Sequence, residues 1–72
     1  MEKLKDLPTR SKLVGYRRML NLTQDDMARY LEINRVTYHY KEKNPKKFTY
    51  DEQIKIQVLF RNSIPDCPNI FL

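Results

Sequence analysis

Cysteine, glycine and histidine each occur once in this chain of 72 residues, and tryptophan is absent. A single cysteine cannot form a disulfide within the chain, which excludes the disulfide-stapled class of small secreted domains. One cysteine and one histidine also fall short of a four-ligand zinc site. No apolar run approaches the ~18 residues of a membrane span, and the amino-terminal segment is charged where a signal peptide is apolar. We therefore expect a cytoplasmic protein without a membrane partner.

Acidic residues are outnumbered by basic ones. Fourteen lysines and arginines stand against nine aspartates and glutamates, which gives a formal net charge of +5. A small basic domain favours a polyanionic partner, and nucleic acid is the commonest one. The alternative is a solvated surface that happens to be basic, because net charge does not say where the charges lie.

Periodicity and capping residues predict a short first helix. Residues 1–8 are charged and end in proline, and we interpret them as a short arm. Thr9 and Ser11 are the candidate N-caps of the helix that follows. Gly15 lies inside this helix, where it either permits a close approach of another helix or is a weak point.

Two further helices are predicted on either side of a tight connection. Thr23–Asp26 resembles a capping box with aspartate in its last position, which marks the start of the second helix. Glu32–Asn34 forms the connection, and Asn34 is the expected N-cap of a third helix that reaches about Lys43. Asn44 and the proline after it end this helix, with the asparagine able to take the left-handed cap conformation.

The last part of the chain carries two conflicting signals. Thr49–Glu52 is a full capping box and predicts a fourth helix to about Asn62, whereas Ile54–Phe60 alternates apolar and polar residues like a strand. We favour a helix because a lone strand would have no partner. Residues 63–72 should form an irregular tail that partly covers the core. The predicted fold is all-α, with four or five short helices and a domain at residues 9–62.

One segment carries a family resemblance. Residues from Leu22 to Leu31 read L-T-Q-D-D-M-A-R-Y-L, followed by Ile33-Asn34-Arg35, Thr37 and Glu42. In residue type and spacing this run resembles the helix-turn-helix of the lambda-repressor-like family, the Cro/CI or XRE type of small bacterial and phage regulators. The resemblance covers residues 13–60.

The sequence departs from the family pattern at three positions. Glu32 replaces the usual turn glycine, so either it adopts the left-handed conformation at some cost or the turn differs. Lys41 stands at a usually apolar position, and Tyr38 at one usually held by isoleucine or valine, which makes Tyr38 a core candidate. The resemblance also implies an ion pair between Arg17 and Glu42, the alternative being two independent surface charges.

The resemblance implies a regulator of a phage lysis–lysogeny switch that binds double-stranded DNA with its third helix in the major groove. In the family, the glutamine at the position of Gln24 reaches a phosphate and braces the third helix. Arg35 suits a guanine edge and Val36 a thymine methyl group. The lysines after the third helix suit phosphates or are simply solvated. The candidate DNA-binding residues are Gln24, Asn34, Arg35, Val36, His39, Tyr40, Lys43, Asn44, Lys46 and Lys47.

A protein partner is the alternative hypothesis. Tyr30, Val36, Tyr38 and Tyr40 make the surface unusually aromatic, and tyrosine is enriched in protein–protein hot spots. In size and character the chain is also similar to phage modulator-of-repression antirepressors, which implies binding to a CI-type repressor. A homodimer on DNA is expected, because one half-site binds a monomer weakly. Neither a glycine-rich phosphate loop nor an acid–base pair is present, so we expect no enzyme, cofactor or metal.

Overall fold

The computed structural model describes residues 8–71, and all the regular secondary structure in this part of the chain is helical. The elements are α1 (Thr9–Met19), α2 (Gln24–Leu31), α3 (Arg35–Lys43), a 3₁₀ turn (Pro45–Lys47) and α4 (Tyr50–Ser63). The all-α prediction is confirmed, and the alternating stretch in α4 is helical, as favoured. Apart from Pro8, the predicted arm lies outside the described residues. None of the described helices is long and apolar enough to cross a membrane.

Helix α1 begins differently from the prediction. Pro8 occupies the N-cap position, and no side chain caps the helix, so neither Thr9 nor Ser11 has the predicted role. The carbonyl of Pro8 instead accepts the first hydrogen bond, from the backbone N–H of Lys12 at 3.1 Å. Gly15 is exposed, and a Cβ added there would meet nothing within 4 Å. It therefore permits no close helix approach and is a weak point of the helix.

The predicted starts of the next helices are confirmed. Thr23 forms a complete capping box with Asp26 at the start of α2, and the side chain of Asn34 accepts from the backbone N–H of Thr37 at the start of α3. Between the two helices, Glu32 has φ 59° and ψ 41°. This left-handed conformation is the one that glycine usually supplies.

The end of α3 corrects one prediction. Asn44 has φ −129° and ψ 76°, so it does not adopt the left-handed cap conformation. The proline that follows disfavours helical backbone at the preceding residue and holds it extended. The chain then makes the 3₁₀ turn, and Thr49 opens α4 in a full capping box with Glu52, as predicted.

The core is a single apolar cluster to which every helix and the tail contribute. Its buried members are Leu13, Met27, Ala28, Leu31, Tyr38, Phe48, Ile56, Phe60, Cys67 and Ile70. Leu20 and Ile33 are partly buried and pack against it. The burial of Tyr38 confirms its assignment to the core.

The tail after α4 is held over the core by side chains of that helix. Gln57 donates to the carbonyl of Pro68 at 2.9 Å and accepts from the backbone N–H of Ile70 at 2.7 Å. Arg61 donates to the carbonyl of Cys67 at 3.1 Å. The expected coverage of the core by the tail is therefore present in the described residues.

Candidate functional site

Helix α3 has one exposed face and one buried face. Arg35, Val36, Tyr40 and Lys43 are exposed, the last three of them about one helical turn apart, and His39 is half-buried among them. With Gln24 of α2, these side chains line a shallow cleft. The structure thus brings together six of the predicted site residues, which we call the α3 face: Gln24, Arg35, Val36, His39, Tyr40 and Lys43.

The buried face of α3 is fixed by the carboxylate of Glu42, which is only 4% exposed. Oε2 accepts from Nε of Arg17 and from the hydroxyl of Tyr38, both at 2.8 Å. Oε1 accepts from the amide nitrogen of Gln24 at 2.8 Å. The ion pair that the resemblance implied is therefore present, and it joins α1 to α3.

This network determines how the buried groups titrate. Burial alone raises the pKa of Glu42, but hydrogen bonds from Arg17, Gln24 and Tyr38 outweigh it and hold that pKa below the ordinary value. Burial and the neighbouring carboxylate strongly raise the pKa of the Tyr38 hydroxyl, which stays a neutral donor. The carboxylate is thus kept charged and fully partnered.

Gln24 connects the hydrogen-bond network around Glu42 to the α3 face. A carboxylate can only accept hydrogen bonds, so the amide nitrogen of Gln24 must face Glu42 and its oxygen must face His39. Nδ1 of His39 lies 3.2 Å from that oxygen and therefore carries the proton. In the neutral form of the ring, Nε2 is then the acceptor. Gln24 thus braces α3, as the resemblance implied, through both polar atoms of its side chain.

Three exposed lysines lie at the end of α3 and in the 3₁₀ turn: Lys43, which belongs to the α3 face, and Lys46 and Lys47 after it. Lys46 lines a different cleft, together with Pro8, Arg10, Gln53 and Phe71. Lys41 does not belong with them, because its ammonium lies 2.7 Å from the carboxylate of Glu52. Burial alone raises the pKa of Glu52, but bonds from Lys41 and Thr49 outweigh it, so that pKa is lowered.

Two asparagines of the predicted site stabilise the ends of α3. The oxygen of Asn34 caps α3. The backbone N–H of Asn44 is directed at the carbonyls of Tyr40 and Lys41 at 3.0 and 3.1 Å and closes the end of the helix. The side chain of Asn44 is exposed, and its contact with DNA stays a prediction.

The sequence reasoning missed Arg18. This exposed residue in the last turn of α1 lines a depression together with Arg35 and the start of α2. Its signal was weak, since a single arginine at a helix end is usually a favourable partner of the helix dipole. Arg18 therefore extends the basic surface around Arg35 toward α1.

Among residues 8–71, no three histidine, cysteine or acidic side chains are grouped so as to hold a metal ion. Compared with known proteins, the chain matches no protein-family model, no curated protein and no solved structure.

Proposed function

We propose that this protein is a phage-type transcriptional regulator that binds double-stranded DNA in a lysis–lysogeny switch. In this proposal α2 and α3 form a lambda-repressor-like helix-turn-helix, and α3 enters the major groove. The observation that carries it is the division of α3 into two faces. Glu42 and Tyr38 anchor one face, and the other presents Arg35, Val36 and Tyr40 to solvent beside the exposed lysines.

Each part of the α3 face has a chemical task in this proposal. Arg35 forks onto the O6 and N7 acceptors of guanine, and Val36 contacts a thymine methyl group. His39 and Tyr40 contact base edges or phosphates. The phosphates of the DNA backbone are contacted by Lys43, by the lysines of the 3₁₀ turn and by the free N–H groups at the start of α2.

The second candidate is an antirepressor that binds a CI-type repressor through the same surface. Val36 is 59% exposed and Tyr40 64% exposed, and uncharged side chains of this kind suit the centre of a protein interface. Tyr38 was predicted to be part of this aromatic surface, but it is buried and does not contribute to it. A repressor bound in this way could not reach its operator, because this protein would cover the repressor's DNA-binding surface.

A mobility-shift titration at two salt concentrations tests both candidates. The DNA is the region adjacent to the protein's own gene, with a scrambled duplex of equal length as control. Replacement of Arg35 by alanine should abolish the preference for the specific duplex. Joint replacement of Lys46 and Lys47 by alanine should weaken binding to both duplexes about equally. It should also reduce the slope of log affinity against log salt concentration by nearly one unit per lost contact.

Arg29→Ala is the matched control, because it also removes one positive charge, from an exposed side chain of α2 outside the α3 face. It should leave the sequence preference unchanged. If the protein alone shows no preference but changes the binding of a CI-type repressor encoded nearby, the antirepressor function replaces the DNA-binding one. If it does neither, both candidates are wrong.

A further inference from the structure

His39 is held in the α3 face by a hydrogen bond that does not depend on the charge of its ring. Nδ1 lies 3.2 Å from the side-chain oxygen of Gln24, which must face the ring because the amide nitrogen donates to Glu42. A charged histidine carries a proton on both ring nitrogens and a neutral one on a single nitrogen. Nδ1–H can therefore donate to Gln24 in both states, so the ring keeps its orientation when it gains a proton.

Protonation of this ring changes the chemistry of Nε2 alone. No hydrogen bond within residues 8–71 engages Nε2, and no buried side-chain nitrogen or oxygen in that part of the chain lacks a partner. Nε2 is therefore accessible from the cleft that His39 lines. It accepts a hydrogen bond in the neutral ring and donates one in the charged ring. One proton thus reverses the hydrogen-bonding character of a single accessible atom of the α3 face.

The charged side chains that share this cleft with His39 are both basic. Arg35 and Lys43 line it on α3, and α2 contributes the neutral Gln24. The carboxylate of Glu42 lies behind Gln24, where it accepts the amide hydrogen bond at 2.8 Å. The cleft itself therefore presents positive charge only, and the negative charge behind it is already partnered.

The acidic residues at the start of α2 are engaged elsewhere. Asp25 lies 3.0 Å from Arg29, and Asp26 accepts from the backbone N–H of Thr23, which lowers the pKa of that carboxyl. The ring of Tyr40, 6.1 Å away between centroids, is an uncharged neighbour. Within residues 8–71 no carboxylate forms an ion pair with the histidine ring. Negative charge that stabilises the charged ring would therefore come from a ligand.

We propose that His39 couples DNA binding to proton uptake, so that the protein binds its duplex more tightly as the pH falls from 8 to 6. The phosphates of DNA surround the ring with negative charge, which favours its charged form. The proton comes from the solvent, and Nε2–H then donates to a phosphate oxygen or to N7 of guanine. Histidine suits this role because it changes its charge between pH 5 and 8. The inference rests on the proposed DNA-binding function and adds a regulation to it.

Mobility-shift titrations of the specific duplex at pH 6 and pH 8 test this coupling at constant ionic strength. A ligand that favours the protonated ring must itself bind better to that ring, because linkage is reciprocal. The dissociation constant should be about five- to tenfold lower at pH 6 than at pH 8. Glu42 and Glu52 remain ionised at both pH values, since hydrogen bonds lower the pKa of each.

His39→Asn is the matched variant. Its amide nitrogen can still donate to Gln24 in place of Nδ1, but an amide does not titrate in this range. The variant should bind with nearly the same dissociation constant at both pH values. Any pH dependence that it retains comes from other groups, such as the amino group of Met1, and is subtracted. Thermal unfolding of both proteins at both pH values verifies that the variant is folded.

Calorimetry of the unmodified protein makes the test independent of any variant. Titrations at pH 7 in two buffers of different ionisation enthalpy count the protons taken up on binding. About half a proton should be taken up per bound chain. Duplexes with 7-deazaguanine identify the acceptor, because the modified base lacks N7. Loss of the pH dependence at one modified position indicates guanine, and its persistence at every position indicates a phosphate.

The outcomes separate this inference from the function on which it rests. Equal dissociation constants at pH 6 and pH 8, with the preference for the specific duplex intact, would overturn the inference and leave the proposed function standing. A pH dependence equally large in His39→Asn would overturn it as well, since another group would then be responsible. If neither duplex is bound at either pH, the proposed function fails and the inference fails with it.

Discussion

The guanidinium of Arg17 and the carboxylate of Glu42 lie 2.8 Å apart, although 25 positions separate them in the sequence. Both side chains are almost fully buried, at 8% and 4% exposure of the whole residues. The pair connects the first helix to the third and fixes the inner side of α3. Its outer side, which carries the α3 face, is placed as a consequence.

Removal of Arg17 should therefore cost far more than the loss of a surface charge. Arg17→Met leaves the carboxylate of Glu42 buried without its main partner, and we expect the free energy of unfolding to fall by about 3–5 kcal/mol in urea titrations. Arg29→Met breaks the exposed pair with Asp25 and should cost less than about 1 kcal/mol. Similar losses for the two variants would contradict the anchoring role of the buried pair.

Acid should destabilise the protein through the same carboxylate. Burial alone would raise the pKa of Glu42, but hydrogen bonds from Arg17, Gln24 and Tyr38 lower it below the ordinary value of 4.5. The folded pKa is then below the unfolded one, so the stabilisation is complete above the unfolded value and is lost as the pH falls through the folded value. Glu52 shifts in the same direction.

Thermal unfolding between pH 7 and pH 2 measures this effect. The midpoint should be nearly constant near neutrality and should fall once the pH drops below about 4.5. Glu42→Gln should be less stable at pH 7 and should lose less stability on acidification than the unmodified protein. A midpoint that rises on acidification would mean that burial dominates the carboxylates after all.

The turn between α2 and α3 stores backbone strain at Glu32. A side chain in the left-handed region costs roughly 1–2 kcal/mol, and glycine avoids this at the expense of a more flexible unfolded chain. Glu32→Gly should thus raise the free energy of unfolding by up to about 1 kcal/mol. Asn21, at φ 58°, is the internal comparison. Asparagine tolerates this region, so Asn21→Gly should gain less, and an equal gain would argue against strain at Glu32.

Gly15 gives a second stabilising substitution by another route. An alanine there meets no neighbour and restores helix propensity, so Gly15→Ala should increase stability by about 0.5–1 kcal/mol. Urea titration of the two proteins is sufficient to measure it. A loss of stability would show that another segment packs closely against this part of α1.

The ring of His39 should be held in one tautomer. With its oxygen directed at Nδ1, Gln24 selects the form with the proton on Nδ1 and leaves Nε2 as an acceptor. Long-range ¹⁵N–¹H correlation spectra at alkaline pH should show this tautomer predominating, and Gln24→Ala should reduce its share. A ring protonated on Nε2 in the unmodified protein would refute the arrangement of the network.

The starts of α2, α3 and α4 were predictable because their chemistry is local, whereas α1 has no side-chain cap to identify its start. Thr23, Asn34 and Thr49 each cap a helix through an atom within three residues, so a short pattern identifies them. Asn44 does not take the left-handed conformation that asparagine can adopt, because the following proline restricts the backbone of the residue before it. The buried position of Lys12, whose ammonium reaches the carbonyl of Asn69, depends on a contact across 57 positions and has no local signal.

The exposed residues of the candidate site were predictable, but the hydrogen-bond network behind them was not. Helical spacing and the resemblance separated Arg35 and Tyr40 from Tyr38, because alternate sides of a helix differ in burial. The shared use of Glu42 by three donors depends on how α1, α2 and α3 pack together. The sequence pattern paired Glu42 with Arg17 but gave no sign that Gln24 also orients His39.

Convergence of several donors on one buried carboxylate also constrains how this sequence can evolve. A substitution at Arg17, Gln24 or Tyr38 alone leaves Glu42 short of a partner, whereas joint replacement of the set by apolar residues of similar volume should be nearly neutral. Viable intermediates between the two states should therefore be rare. Descendants of this sequence should inherit the four residues together or lose them together, while the exposed side of α3 is free of this constraint.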